Sequence, residues 1–529
     1  MRHTDEAPRT MASAQDEGRP QLRTDAWSRA ARQVRERASF LGLTLDETGL
    51  AFQYVRDLQA TYAAQLRCKP RAPRRIRHLQ REPGIDGRRA RPNWATGLAL
   101  LVLGSSALVA GGAATATGGR AASGSHLAAG ASTHMGEYLY VWTGDARREA
   151  PDRLVAIDYD AHSPRYGTVV GAAEVPGPGG IDNEPHHCGL SADQHILACG
   201  GLLSVLRHQD GIFFFDVSQP DAPRFLSSAG TLHSSITDDF IPLPNGGFLV
   251  TMMGSASGGS PGRVAEFDGR LHLVHEWPDR PPTDGFNPHG MVVRPDRNLM
   301  ITCDFVDPAS TLNAVPGGPV FRGSVRVWDL QRRAIVRTVR IPGAPGTMDC
   351  RLIPRDAQER AYTAGLTNGL LYLVDTRRGT ARPVFDFATL LPGASPHLMD
   401  LSADGSRLFV PIQGREGDAI AMRDIRDREH PHLLSMLQLP EHTGPHMAML
   451  SDGGTRLIVD DYFLNEDGFG KVHADGDHRV FAVRVTANRL ALDPRVSVDF
   501  NTAIPGVQLR PHGLAIWDGS DNGMVMGSS

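Results

Sequence analysis

The sequence has little cysteine, few aromatic side chains and no excess of charge of either sign. Its five cysteines include no C-x-x-C pair, and they are too few and too scattered for a disulfide framework or a zinc ribbon. A net charge of −4 excludes a basic nucleic-acid-binding surface spread over the whole chain. The 41% hydrophobic and 22% charged shares exclude both wholesale disorder and a polytopic membrane protein.

Glycine and proline are abundant instead, with 57 and 37 residues. Without a collagen-like period, this abundance is typical of many tight turns between short strands. The 529 residues exceed one ordinary domain, although a closed all-β architecture uses most of such a length as a single unit.

The first 136 residues differ from the rest. Residues 1–93 are predicted to form a short helical or disordered basic region, with amphipathic helices within 25–66 and ten Lys or Arg residues between 67 and 91. Residues 94–119 carry no charge, are long enough for one apolar membrane-spanning helix and resemble a signal peptide or signal anchor. The segment is either a true anchor behind a small cytoplasmic domain or a signal peptide behind a start codon assigned too early.

Either alternative places the remainder of the chain outside the cytoplasm, because the basic flank precedes the apolar segment. We therefore expect a periplasmic protein, or one anchored to the membrane through 94–119 and facing the periplasm. Residues 120–136 are a predicted linker, and 521–529 are a predicted flexible tail.

From residue 137 the chain repeats one unit, an alternating apolar strand that ends near an acidic residue or a turn. The seven copies are RLVAIDY at 153–159, GIFFFDV at 211–217, GRVAEFD at 262–268, SVRVWDL at 324–330, GLLYLVD at 369–375, AIAMRDI at 419–425 and RVFAVRV at 479–485. Repeats of this period are typical of solenoids and propellers.

Between these copies lies a second unit, two short apolar strands joined by a Ser-, Asp- and Gly-rich turn, as in PHLMDLSADGSRLFVP at 396–411. Such turns favour hairpins, so each repeat gives four antiparallel strands, which is one propeller blade. The last inner strand, 512–517, has no partner in its own repeat, and the first repeat has no inner strand. We therefore predict an all-β, seven-bladed propeller over 137–520, closed by the pairing of 138–142 with 512–517.

Histidines recur at one place in this repeat. Pro-His dipeptides occur six times, more often than the composition predicts, and five of them open an inner strand: His186, His289, His397, His446 and His512. His233 is predicted to take the same place in a blade that lacks the proline. Counting back from the turn of the remaining blade places Asp349 there.

Innermost strands line the channel of a propeller, so residues at one register lie at one height around its axis. Six imidazoles at one height predict a metal centre, and imidazole clusters suit copper, iron or zinc better than calcium or magnesium. The structural alternative for any one histidine is a hydrogen bond to the next blade, with no metal role.

Neighbouring residues supply the remaining candidates. His186 and His187 point to opposite faces of a regular strand, so both face the channel only if a bulge intervenes. Asp238 and Asp239 follow His233 and are carboxylates that orient imidazoles, act as bases or cap a loop. Cys188 is predicted to be a buried core residue, with a soft metal ligand as the alternative.

Several stretches resemble the selenium-binding protein and methanethiol oxidase family. They are NEPHHCG at 183–189, TLHSS at 231–235, FRGSVRVWDLQRRAIVRTVRI at 321–341, GPHMAMLSDGGTRLIV at 444–459 and RPHGLAI at 510–516. The resemblance spans about 138–516. It implies a copper enzyme that oxidises methanethiol with dioxygen and water to formaldehyde, hydrogen sulfide and hydrogen peroxide. Carried over by position, the metal-site residues are His186, His187, His233, His446 and His512, while His289 and His397 come from the repeat alone.

In this interpretation copper held by neutral imidazoles binds a small thiol, and His187 and Asp239 transfer protons. Two alternatives stay open. One is an iron enzyme like the carotenoid oxygenases, which also use a histidine ring in a seven-bladed propeller. The other is a non-enzymatic periplasmic propeller that binds metal or a partner.

Overall fold

The computed structural model describes residues 136–312, 318–451, 453–461, 464–465, 473–474 and 476–519. The predicted regions 1–93, 94–119 and 521–529 lie outside the described residues, as does all but the last residue of the linker 120–136. Within the described ranges, no helix is long and apolar enough to cross a membrane.

Seven antiparallel sheets surround one channel, and the four strands of each sheet follow one another from the channel outward. Blade 1 contains Leu509–Trp517, Tyr138–Asp145, Arg153–Asp158 and Val169–Glu174. Blade 2 contains Pro185–Leu190, Ile196–Gly201, Ile212–Asp216 and Arg224–Ala229. Blade 3 contains Ser234–Pro242, Phe248–Ser255, Arg263–Phe267 and Leu273–Trp277. Blade 4 contains Pro288–Arg294, Leu299–Val306, Phe321–Asp329 and Ala334–Arg340.

The other three blades follow the same order. Blade 5 contains Thr347–Leu352, Arg360–Gly365, Leu370–Asp375 and Thr380–Asp386. Blade 6 has a divided inner strand, Ser395–Pro396 and Asp400–Leu401, followed by Arg407–Gln413, Asp418–Asp424 and His432–Leu439. Blade 7 contains Pro445–Leu450, Arg456–Asp461, Arg479–Val485 and Leu490–Asp499. The predicted seven-bladed propeller is confirmed.

Both ends of the propeller sequence build blade 1. The strand Leu509–Trp517 pairs antiparallel with Tyr138–Asp145, with Tyr138 opposite Trp517 and Val141 opposite Leu514. The predicted closure is therefore confirmed, and it leaves no open edge between the first and last blades.

The core is a ring of apolar layers between successive blades. Because side chains alternate across a strand, the two faces of a blade enter different layers. In blade 1, Val155 and Ile157 pack towards blade 7, while Leu154 and Ala156 pack towards blade 2. Each large side chain buried in this way contributes on the order of 1.5–3 kcal/mol to folding.

Helical structure is sparse in the described part of the chain. It comprises one short α-helix, Pro308–Leu312, and four 3-10 turns, Pro178–Gly180, Ser204–Arg207, Pro295–Arg297 and Phe387–Thr389. A small separate hairpin pairs Leu464–Asn465 with His473–Ala474, between the second and third strands of blade 7.

Candidate metal centre

Every inner strand departs from regular pairing at the same height in the channel. In blade 2, Pro185 pairs with Gly201 and Cys188 pairs with Cys199, so two residues oppose one across this step. An extra residue enters the inner strand in the same way in blades 1, 3, 4, 5 and 7, and in blade 6 the inner strand is interrupted between Pro396 and Asp400. A bulge re-aims the side chains it contains, so these positions face the channel differently from the rest of each strand.

A left-handed residue leads into the bulge in four of the blades. Two of these residues are glycines, Gly346 with φ of 74° and Gly444 with φ of 65°, which adopt this conformation without a Cβ clash. Glu184 with φ of 53° and Ile236 with φ of 63° take the same place in blades 2 and 3. A β-branched residue is strained in this region, so the burial of Ile236 must hold it there.

We call the first residue of each bulge, or of the interruption in blade 6, the first bulge position. The residues at this position differ from those predicted. Around the channel it is occupied by His186, Asp238, His289, Met348, His397, His446 and His512. Two predictions of the register were therefore wrong. Asp238 takes the place given to His233, and Met348 takes the place given to Asp349.

The structure places His233 away from the other histidines. It is exposed, and its backbone N–H donates to the carboxylate of Glu276. The inner strand of blade 3, Ser234–Pro242, is long, so four residues separate His233 from the bulge instead of none. Counting from the histidine therefore misplaced the register.

The structure brings six other histidines together. Each is buried, with exposed fractions between 1% and 6%. The ring centroid of His186 lies 4.1 Å from that of His187 and 4.3 Å from that of His512, and those of His446 and His512 are 4.9 Å apart. His187 joins the cluster because it lies with His186 in the bulge, which is the condition predicted for both to face the channel.

Asp238 is the hub of this cluster. Its Oδ2 accepts from Nε2 of His186 at 3.1 Å and lies 3.0 Å from Nε2 of His289, while its Oδ1 accepts from Nδ1 of His187 at 3.0 Å. Burial alone would raise the pKa of this carboxyl, but His289, His187 and His186 outweigh it and hold the pKa well below its usual range. Asp238 is therefore an anion that only accepts hydrogen bonds.

Two further imidazole contacts continue from His187. Its Nε2 lies 3.5 Å from Nε2 of His446, and Nδ1 of His446 lies 2.9 Å from Nδ1 of His397. The other member of the cluster, His289, packs its ring 5.1 Å from that of Phe305, which is partly exposed.

Burial keeps four of these imidazoles neutral. It lowers the pKa of His187 and of His397 to about 3, with His186 adding to the effect on His187. It also lowers the pKa of His446 and His512 well below the usual value. Neutral imidazole is the form that binds metals.

Two ring nitrogens of the cluster make no hydrogen bond among the described residues and can offer a lone pair to a metal. Nδ1 of His186 and Nδ1 of His289 are buried and have no hydrogen-bond partner among the described residues, and Asp238 fixes the proton on the opposite nitrogen of each ring. Two donor sets have their atoms within 4.8 Å of one another, His186 with His187 and His512, and His186 with Asp238 and His289. A carboxylate behind a metal-binding imidazole is the usual way to orient such a ligand.

A second group of carboxylates lies one residue or more beyond the first bulge position. Each accepts a backbone N–H from the inner strand of the next blade: Asp239 from Met291 at 2.9 Å, Asp349 from Met399 at 2.7 Å and Asp400 from Leu450 at 2.7 Å. These contacts fasten successive bulges to one another. Burial raises the pKa of Asp239 to about 7 and that of Asp400 to about 6.

One arginine sits among these carboxylates. Nε of Arg351 donates to the carbonyl of Met399 at 2.7 Å and lies 3.2 Å from Oδ2 of Asp349. Arg351 also lowers the pKa of Asp239 and Asp400 against the effect of burial. The only signal for Arg351 in the sequence is its position two residues after Asp349.

Among the described residues, four cysteines pair as disulfides, which their spacing did not predict. Cys188 is buried in the core, as predicted, and it is bonded to Cys199 directly across blade 2, so the alternative of a metal ligand is wrong. Cys303 of blade 4 is bonded to Cys350 of blade 5. The scattered spacing hid both pairs. Cys188 and Cys199 meet across one hairpin, whereas Cys303 and Cys350 become neighbours only once blades 4 and 5 are assembled.

Comparison with known proteins gives relatives of one kind. The chain is 26% identical over 328 residues to a methanethiol oxidase of Hyphomicrobium sp, covering 56% of this chain and 69% of the relative. It is 26% identical over 306 residues to a methanethiol oxidase of Ruegeria pomeroyi, covering 52% of this chain and 67% of the relative. No protein-family model matches the sequence.

Among solved structures, a hypothetical selenium-binding protein from Sulfolobus tokodaii superposes with a TM-score of 0.59. The superposition covers 73% of this chain and 95% of that one, at 15% sequence identity, and it shows a shared fold. The seven blades, the histidines of the channel and these relatives agree with the resemblance read from the sequence. The chain is therefore similar to the selenium-binding protein and methanethiol oxidase family.

Proposed function

We propose that this protein oxidises a small thiol, with dioxygen as the acceptor, at a copper ion bound by the channel histidines. The observation that carries the proposal is the cluster of six buried imidazoles around one carboxylate, in a propeller related to proteins named methanethiol oxidase. The preferred substrate is methanethiol. With one dioxygen and one water it gives formaldehyde, hydrogen sulfide and hydrogen peroxide, which balances all atoms.

The residues present fit copper. His186, His187 and His512 would hold the ion, with His446 beside them through the contact of its Nε2 with Nε2 of His187. The fit rests on the neutral rings of His187 and His512, on the buried Nδ1 of His186 that has no hydrogen-bond partner among the described residues, and on the preference of imidazole for copper, iron or zinc. A bound copper ion supplies Lewis acidity towards a thiol sulfur and a redox couple for dioxygen.

The protein's own groups would orient the rings and move protons. Asp238 keeps the ring proton on Nδ1 of His187, so its Nε2 stays available as a lone-pair donor. Asp239, with a pKa raised to about 7 by burial, exchanges a proton near neutral pH and is our proposed acceptor of the thiol proton. Asp239 lies beside Asp238 in the bulge of blade 3.

The test is metal analysis of the purified full chain together with oxygen uptake on addition of methanethiol. We expect one copper per chain, oxygen uptake, and loss of both in His512→Ala. The matched control is His233→Ala, an exposed histidine outside the cluster, which should keep both. Copper without oxygen uptake would make the protein a metal-binding propeller and refute the oxidase.

A second candidate is a non-haem iron enzyme. The set formed by His186, Asp238 and His289 contains two histidines and one carboxylate, the ligand combination typical of iron oxygenases. The two sets share only His186, so variants separate them. His289→Ala should abolish iron binding if the second set is used, whereas His512→Ala should abolish copper binding if the first is used.

We also propose that the propeller works in the periplasm. Two disulfides within the described residues support this, because disulfides persist in oxidising compartments. Fractionation of cells that express the full chain, with thiol labelling before and after reduction, tests it. Four freely labelled propeller thiols in a cytoplasmic fraction would refute it.

A further inference from the structure

His397 stands apart from the other histidines of the cluster. Among the described residues, neither of the two donor sets includes it. The polar contact of its ring is with Nδ1 of His446 at 2.9 Å. It enters the channel from blade 6, the blade with the divided inner strand.

The backbone fixes His397 against the strand that carries His446. The N–H of His397 donates to the carbonyl of Pro411 at 2.9 Å, and the N–H of Leu398 donates to the carbonyl of His446 at 3.0 Å. The carbonyl of Leu398 in turn accepts from Ala448 at 3.2 Å. The two rings therefore keep one relative placement, and their contact is built into the inner strands.

Two arrangements of protons satisfy the three rings. Nδ1 of His187 lies 3.0 Å from Oδ1 of Asp238 and donates its proton to this carboxylate oxygen, so its Nε2 bears a lone pair. In the first arrangement His446 donates from Nε2 to His187 and accepts at Nδ1 from His397. In the second, His446 carries its proton on Nδ1 and donates it to Nδ1 of His397. Only the second puts a lone pair on Nε2 of His446, which can then share an ion with Nε2 of His187.

We infer that His397 is a positioning residue for the metal centre, which accepts a hydrogen bond from Nδ1 of His446 and so directs Nε2 of His446 towards the ion. This inference rests on the proposed function in one respect, that the cluster binds copper. The repeat predicted that His397 is a metal ligand. The inference instead gives His397 the role of orienting a ligand.

The test compares copper(I) affinities of the full chain, measured by competition with a chromophoric chelator in the absence of thiol and dioxygen. His397→Phe keeps a ring but removes the acceptor, and we expect it to weaken copper binding by about 10–100-fold, as loss of an outer partner does. His397→Asn places Oδ1 near the position of Nδ1, so it should restore most of the affinity. His233→Ala is the matched control and should bind like the unmodified chain.

A second readout does not depend on affinity. Long-range proton–nitrogen correlation spectra of the copper(I)-loaded protein, labelled with ¹⁵N-histidine, should show His446 protonated at Nδ1. Unchanged affinity in His397→Phe would overturn the inference. So would a loss as large as that of His446→Ala without rescue by asparagine, because His397 would then be a ligand. Copper binding without thiol oxidation would refute only the proposed function.

Discussion

Replacing Asp238 by asparagine tests the organisation of the metal centre most directly. Oδ2 of Asp238 faces two ring nitrogens and Oδ1 faces one, at 3.0–3.1 Å. An amide keeps one acceptor but must donate from its nitrogen. The orientation that disturbs fewest rings keeps the carbonyl towards His186 and His289 and turns the NH₂ group towards His187.

In Asp238→Asn, His187 must then accept at Nδ1 and carry its proton on Nε2. That atom is the one that faces Nε2 of His446, so the centre loses one lone-pair donor. Loss of a partner that orients a ligand weakens metal binding by about 10–100-fold, which corresponds to about 1.4–2.7 kcal/mol. Loss of the negative charge beside the ion acts in the same direction.

The assay is a copper(I) competition titration of the full chain, with circular dichroism to confirm folding. Asp193→Asn, an exposed carboxylate in blade 2, is the control and should leave the affinity unchanged. If Asp238→Asn folds and binds copper as tightly as the unmodified chain, the carboxylate does not orient the histidines and the reasoning fails.

Three further predictions concern pH and buried charge. Burial raises the pKa of Asp239 from 3.8 to about 7, so the folded chain holds this proton more tightly than the unfolded chain. Stability should therefore fall as pH rises from 4 to 7, by up to about 1.4 kcal/mol per unit. Asp239→Asn should flatten that slope in denaturant titrations at pH 5 and 7, and an unchanged slope would contradict the assignment. Because the pKa of His187 is lowered to about 3, copper should stay bound at pH 5. Loss of copper with a midpoint near pH 6.5 would instead mean that the histidines titrate as ordinary imidazoles. Glu184 and Arg510 form a buried ion pair with Oε2 2.7 Å from Nη1, so Glu184→Gln should cost about 3 kcal/mol of unfolding free energy, and a loss below about 1 kcal/mol would mean that water compensates the pair.

The number of blades and their closure could be predicted because both depend on patterns local to the chain. Alternating apolar residues mark each strand, and turn residues mark each hairpin. The closing pair of Tyr138–Asp145 with Leu509–Trp517 followed from a count of strands, since each terminal repeat lacked a strand that the other could supply.

The site was less predictable because it depends on bulges. A bulge shifts the register by one residue and has no strong signature in a single sequence, so Met348 and Asp349 could not be told apart by counting. In blade 3 the histidine of TLHSSITDDF was predicted to take the channel position, although Asp238 occupies it. The signal that could have found it is the Thr-Asp-Asp run, at the distance from the following turn where other blades have a histidine.

Contacts between blades could not be predicted from the sequence, for a different reason. The disulfide of Cys303 with Cys350 and the hydrogen bond of Arg351 to Met399 join residues of neighbouring blades. Their partners depend on how blades are stacked, and no local pattern reports the angle or height of one blade against the next.

The two successive residues of a bulge carry different kinds of side chain. The first position gathers imidazoles around a single anion, Asp238, and imidazole nitrogens are suitable metal ligands. The position after it, in Asp239 and Asp349, carries carboxylates whose acceptors are used by the backbone of the next blade. A carboxylate that fastens a neighbouring bulge also fixes the height of the residue inside that bulge. The placement of the histidines is therefore a property of the closed ring of blades, and a change at one bulge should be felt at the metal-facing residue of the next.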